Sequence, residues 1–192
     1  MATFTITKNG TAYTSASLGI TMLKDSSRPM LPRIRDRRSY VPGRHGFVDY
    51  GADMRELVFA LRCAFAGATS QADLRDLGQV LAGLLLNAET GRPAELELSF
   101  SDMTGLSWGV VYSGDLDLKM LGPMVGEFTL EFSAYDPFAR EVEDETEGTL
   151  TTSPGSLTVT NSGNVPAPAR YILKNEGVAT IHGFTLTRVK EV

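Results

Sequence analysis

The chain has 192 residues, a formal net charge of -5, and 42% hydrophobic against 21% charged residues. That suits one globular domain with its own core plus an appendage, burying roughly 70% of the unfolded chain's surface. No apolar run approaches the roughly 20 residues needed to cross a bilayer. The acid excess argues against a general polyanion binder, and the first ten residues lack the basic and apolar regions of a secretory signal.

Residues 1–14, MATFTITKNGTAYT, alternate apolar Phe4 and Ile6 with threonines and turn at Asn9-Gly10, the strongest short hairpin signal. Residues 24–45 hold three prolines and little apolar periodicity, which predicts a long extended loop or projecting arm. From Arg28 to Arg44 there are six arginines against one acid, Asp36. If residues 33–40 are extended, the period of two puts Arg33, Arg35 and Arg37 on one face. Such a row is either solvated or balanced by acids from elsewhere, and arginine is suited to bidentate carboxylate pairing.

After a turn through Gly43, Gly46 and Gly51, residues 57–65, LVFALRCAF, alternate Leu57, Phe59, Leu61 and Cys63 on one side of a core strand. Cys63 is the only cysteine, which excludes an internal disulfide or a cysteine-cluster metal site, and its apolar setting reads as a buried inert thiol. The next stretch, SQADLRDLGQVLAGLLLNAETG, predicts a helix over about 70–88. Ser70 caps it, Asp73 stands three residues on as in a weak capping box, and Leu74, Leu77, Leu81, Leu84 and Leu85 form one stripe. Gly91 and Pro93 are read as its stop.

Three further strand runs follow the helix: ELELSF, LSWGVVYSG and GEFTLEFSAYDPF, with GDLDLKM before the last as a further strand whose wet face carries Asp115 and Asp117. The expected fold is mainly β (α+β), an antiparallel β-sandwich or barrel-like domain over residues 1–140 with one flanking amphipathic helix. Residues 141–148 read as an acidic linker. Residues 149–192 read as a short, incomplete β extension with strand candidates near 157–160, 169–173, 178–181 and 184–189 and turns at 161–164 and 175–177.

The chemistry-bearing residues form no constellation. His45 and His182 are the only histidines and are unclustered, so no metal site is expected, and His45 in GRHGF suits hydrogen bonding to the backbone. There is no GxSxG elbow, no GxGxxG and no phosphate-binding loop. Trp108, Phe128 and Phe132 alternate without interleaved basic residues, as core rather than as a base-stacking platform. No catalytic residue and no cofactor is expected.

The order of these pieces carries a resemblance. A hairpin, a basic arm, RHGFVDYGADMRELVFALRCAF, a helix beginning SQADLRDLGQVLAGLL, PAELELSFSD, one tryptophan strand and GEFTLEFSAYDPFAR together resemble the distal tail protein family of long-tailed phages over about residues 1–140. The resemblance implies a structural virion protein, assembled in the host cytoplasm, that forms a ring of six at the distal tail. Implied partners are further copies of itself, the tail tube protein, the tip or baseplate hub protein and the tape measure protein, with neither a membrane nor sequence-specific nucleic-acid binding. The family commonly continues into a galectin-like domain, whose opening strands VTNSGNVPAPARYIL resembles.

The charge blocks suggest how copies would meet. Arg33, Arg35, Arg37 and Arg38 of one subunit are expected to reach Glu141, Glu143, Asp144 and Glu145 of the next, as in a heterologous ring. A carbohydrate-binding β-sandwich module is the alternative, and a nucleic-acid binder using the arginine arm is a further one.

Overall fold

Asn9 and Gly10 both take positive φ, 50° and 78°, as the turn of a two-residue hairpin requires, and join β1 (Phe4–Lys8) to β2 (Thr11–Thr14). The computed structural model describes residues 2–65, 67–122, 124–141, 147–159 and 170–187. The chain divides into two units, Met1–Asp144 and Glu145–Val192.

The first unit adds β3 (Ile20–Met22), β4 (Ile34–Ser39), β5 (Val48–Met54), β6 (Leu57–Phe65), α1 (Gln71–Leu85), β7 (Glu95–Phe100), β8 (Leu106–Tyr112), β9 (Lys119–Gly122), β10 (Val125–Ala134) and β11 (Arg140–Glu141). Seven strands run in the order β2-β1-β7-β8-β10-β6-β3, with β9 on β10 and β11 on β8. The expected mainly β, antiparallel fold with one helix is the one observed, in its barrel-like form: a single curled sheet. The loop after β2 helps the curl, because the Ser15 N–H donates to the Phe4 carbonyl (2.8 Å) of β1 while the Ile20 N–H of β3 donates to the Ser15 carbonyl (2.7 Å).

Strand alternation explains the core. Phe4, Ile6, Leu57, Phe59, Leu61, Cys63, Phe65, Leu96, Leu98, Phe100, Trp108, Val110, Phe128, Leu130 and Phe132 all fall on the inner face. The rings of Phe59, Phe100 and Trp108 meet pairwise at centroid distances of 5.7, 5.4 and 5.9 Å. The Cys63 thiol, fully buried, is pushed up to about 12 by desolvation, consistent with the inert role expected of it.

Leu74, Leu81, Leu84 and Leu85 of the helix join this core, with Leu77 partly buried against it. Each buried leucine is worth about 2 kcal/mol of transfer free energy. The Ser70 hydroxyl accepts the Asp73 N–H at 3.1 Å, as an N-cap should. The Asp73 carboxylate does not close the box on Ser70; it accepts the Thr69 N–H (3.0 Å) and the Thr69 hydroxyl instead.

The helix stops at Leu85, earlier than the expected 88. Leu86 turns extended and bridges to Pro93, and the Ala94 N–H donates to the Leu85 carbonyl at 2.8 Å, so the chain is drawn back before Gly91 is reached. Gly91 (φ 65°) instead closes the turn that follows, its N–H bonding the Asn87 carbonyl at 2.8 Å. No base lies in the last helical turn, but Lys8 supplies one from β1: its ammonium donates to the Gly83 (2.9 Å) and Leu86 (2.7 Å) carbonyls.

Two other expectations change. Residues 113–118 form no ladder, because Leu116 and Leu118 pack on the core from a loop; the strand begins at Lys119. Asp115 and Asp117 are exposed there. In the second unit, the described residues 147–159 and 170–187 form no strand and every one is exposed. The alternating residues near 157–159, 170–173, 178–181 and 184–187 find no ladder partner among the described residues, and too few apolar groups gather there to bury a sheet. The remaining parts of those candidates and the turn at 161–164 lie outside the described residues. The turn at 175–177 does form, with the Asn175 Oδ1 accepting the Gly177 N–H at 3.0 Å and its Nδ2 donating to the Ala179 carbonyl at 2.9 Å.

Candidate subunit interface

The stretch read as a loop or arm, residues 24–45, is half of a hairpin. β4 and β5 pair only with each other, as a two-stranded sheet of which no residue is buried. Register runs Ile34 to Met54, Arg35 to Asp53 and Asp36 to Ala52, then shifts so that Arg38 faces Asp49 and Ser39 faces Val48. The extra residue is absorbed at Tyr50-Gly51. Gly51 (φ 88°) takes a left-handed conformation, and its N–H bonds the Asp49 carboxylate at 3.0 Å.

Arg35 and Arg37 do share a face, as the period of two requires, and both reach Asp53, at 3.3 and 2.5 Å. That carboxyl is held below its ordinary value, first by the hydrogen bond from Arg37 and then by Arg35. Arg38 pairs with Asp36 at 2.9 Å and stacks over the Phe47 ring at 4.5 Å. The arginine row is therefore partly compensated inside the hairpin by acids of β4 and β5. Arg33 contributes its carbonyl to the Arg55 N–H at 3.0 Å. His45 is exposed at the hairpin tip.

The acids expected to receive these arginines are only partly in view. Glu141 is exposed at the end of β11, facing Leu106 across the ladder. Glu143, Asp144 and Glu145 lie outside the described residues.

What sequence reading missed is the apolar content of the hairpin. Ile34, Tyr40, Phe47, Tyr50 and Met54 are 60%, 71%, 54%, 63% and 50% exposed. An isolated two-stranded ribbon is marginal in water without a third strand or a packed face, so this ribbon has the composition of a surface meant to be covered. The missed signal is Ile34 and Met54 at either end of an arginine-aspartate segment, which in register become a cross-strand apolar pair.

The hairpin is rooted firmly. Ser27 and Ala60 exchange backbone hydrogen bonds of 2.7 and 3.0 Å, and Arg28 next to them pairs with Asp102 at 2.7 Å while lying 5.0 Å from the Phe100 ring centroid. On the sheet, Arg62 pairs with Asp25 at 2.7 Å and with Glu127.

Small-molecule chemistry has little foothold. A shallow cleft of about 200 Å³ between the starts of β1 and β3, lined by Ala2, Thr3, Ser15, Gly19, Ile20 and Met22 among others, is below the usual ligand-pocket range and carries no charged group. Among the described residues no cluster of His, Cys, Asp and Glu could hold a metal ion, and no helix is long and apolar enough to cross a membrane. Trp108, Phe128 and Phe132 lie in the core.

A curled antiparallel sheet with one helix and a separate hairpin is a known architecture, and the profile of the phage tail protein RIFT-related domain (Sipho_tail) matches residues 13–134. The chain belongs to this phage tail protein family. The match spans β3 to β10, the β4–β5 hairpin and the helix, and leaves out β1, the start of β2 and β11. Among solved structures, the chain is similar to the SPP1 Dit (gp 19.1) protein, described as a paradigm of the hub adsorption apparatus in phages infecting Gram-positive hosts, with a TM-score of 0.58 at 17% identity. The similarity covers 72% of this chain and 52% of that one, so the chain matches about half of the Dit protein's length. No curated protein matches. As a phage tail protein of the RIFT-related family the chain is a virion component, and the family is a structural one.

Proposed function

We propose that this phage tail protein is a distal tail protein whose first unit closes, six copies at a time, into a ring around the channel for DNA and the tape measure protein. The ring joins the tail tube to the tip or baseplate hub. The observation that carries this reading is the β4–β5 hairpin: it exposes apolar and arginine side chains on a body that has the tail family's fold. In a heterologous ring every copy offers one surface and receives another, and a projecting ribbon is a surface to offer. Arg33, Arg35, Arg37 and Arg38 are on the offered side, and the acids Glu141, Glu143, Asp144 and Glu145 are the receiving side read from the sequence.

Light scattering of the purified chain after size-exclusion chromatography tests the reading. A concentration-dependent rise toward six times the chain mass supports it. A constant single-chain mass up to millimolar concentration refutes it.

A further inference from the structure

Two exposed apolar surfaces lie at opposite ends of one ladder. β6 and β10 pair from Leu57 opposite Ala134 to Ala64 opposite Glu127, a length of roughly 25 Å. β5 ends at Met54, so the β4–β5 hairpin joins the body at the Leu57 end. At the far end β9 pairs with the start of β10, and this second hairpin leaves Met120, Leu121, Met124 and Val125 each roughly half exposed. Lys119 is the only charged residue between positions 118 and 126.

The β4–β5 ribbon has two unlike faces, because alternation and register sort its side chains. Ile34, Met54 and Ala52 share one face with Asp36 and Arg38, which pair with each other. Phe47 belongs to the same face, where Arg38 stacks over its ring. Arg33, Arg35, Arg37 and Arg55 fall on the opposite face with Asp53 among them. Positive charge is concentrated on one side of the ribbon and large apolar side chains on the other.

We propose that the apolar face of the β4–β5 ribbon packs on the β9–β10 tip of a second copy. This rests on the self-association proposed above and names what covers the ribbon face that the acids near Glu141 leave open. A heterologous contact needs its two halves on different parts of one molecule. The ends of the β6–β10 ladder supply them, since each copy gives a ribbon at one end and accepts one at the other. With no carboxylate to attract the arginine face, the tip meets the ribbon on its apolar side, and Arg33, Arg35 and Arg37 stay free for the acids of the receiving side. The areas match. A half-exposed large side chain offers roughly 100 Å², so each patch presents about 300 to 400 Å². That is close to half of the roughly 800 Å² per partner in a stable contact, and the arginine–acid pairs supply the remainder.

Sedimentation velocity on the full chain compares Leu121→Asp/Met124→Asp in the tip and Ile34→Thr/Met54→Thr in the ribbon with the unaltered protein. Threonine keeps strand propensity, so the ribbon variant loses apolar area and keeps its ladder. Circular dichroism checks both folds, and Leu121→Ser/Met124→Ser replaces the tip change should it unfold. Each variant alone is expected to associate at least roughly tenfold more weakly than the unaltered chain. An equal mixture of the two is expected to form one-to-one pairs and nothing larger, because one intact ribbon and one intact tip remain to meet. Variants that assemble like the unaltered chain overturn the inference while leaving self-association standing. Loss of assembly without one-to-one pairs in the mixture overturns it as well, since ribbon and tip then do not meet each other. An unaltered chain that never associates overturns both.

Discussion

Arg28 lies 2.7 Å from the Asp102 carboxylate and 5.0 Å from the centroid of Phe100, at the point where the chain leaves the sheet for the hairpin. Phe100 in turn contacts Phe59 and Trp108 in the core. The direction in which the hairpin projects is thus tied to the best-packed aromatic group of the body.

Replacing Arg28 with alanine should loosen that root without touching the hairpin's own ion pairs. Trypsin, which can cut at Arg33, Arg35, Arg38 and Arg44, is expected to cleave the variant's hairpin roughly five- to tenfold faster, since local opening governs cleavage. Equal cleavage rates for the two proteins would show that the root does not restrain the hairpin.

Stability should fall at acid pH for a reason visible in three carboxyls. Asp53 is held low chiefly by the hydrogen bond from Arg37, Asp73 by the Thr69 hydroxyl, and Asp102 by Arg28, all below an ordinary value of 3.8. A depressed folded value means the contribution is fully present above 3.8 and is lost as pH falls through the folded values. Calorimetry should therefore show a melting temperature insensitive to these groups between about pH 5 and 7 and declining below about pH 4. A melting temperature as high at pH 2.5 as at pH 6 would contradict the pairing.

Cys63 offers an independent probe of the core. Its thiol is buried and pushed up to about 12, so a disulfide reagent at neutral pH should react only through unfolding. The expected result is a reaction rate that rises with urea in step with the loss of ellipticity. Prompt stoichiometric labelling in buffer would mean the β6–β10 packing opens on its own.

Two substitutions separate the helix's packing from its end. Leu81→Ala removes a side chain 1% exposed and should cost about 2–5 kcal/mol in a urea melt. Lys8→Met removes the cation on the Gly83 and Leu86 carbonyls and should cost about 1 kcal/mol. A Lys8 change as costly as the leucine change would mean that the end, more than the stripe, holds the helix.

Where local pattern and tertiary structure agree, the sequence was readable. Residues 57–65 and 95–100 alternate cleanly and are β6 and β7 to the residue, and Ser70 caps the helix as its chemistry predicts. The helix end was not readable, since Leu86 is turned by a bridge to Pro93 and served by Lys8 from the far end of the sequence. β5 was hidden because Gly51, read as a turn, sits inside the strand as a bulge. The hairpin was half legible: its arginines showed as a charge block, but their intrachain partner Asp53 and the apolar Ile34–Met54 pair emerge only from strand register.

Electron microscopy of the negatively stained chain at high concentration tests the central claim most directly. The account predicts closed rings with a central hole and six-fold class averages. Single compact particles of one chain at every concentration would contradict it.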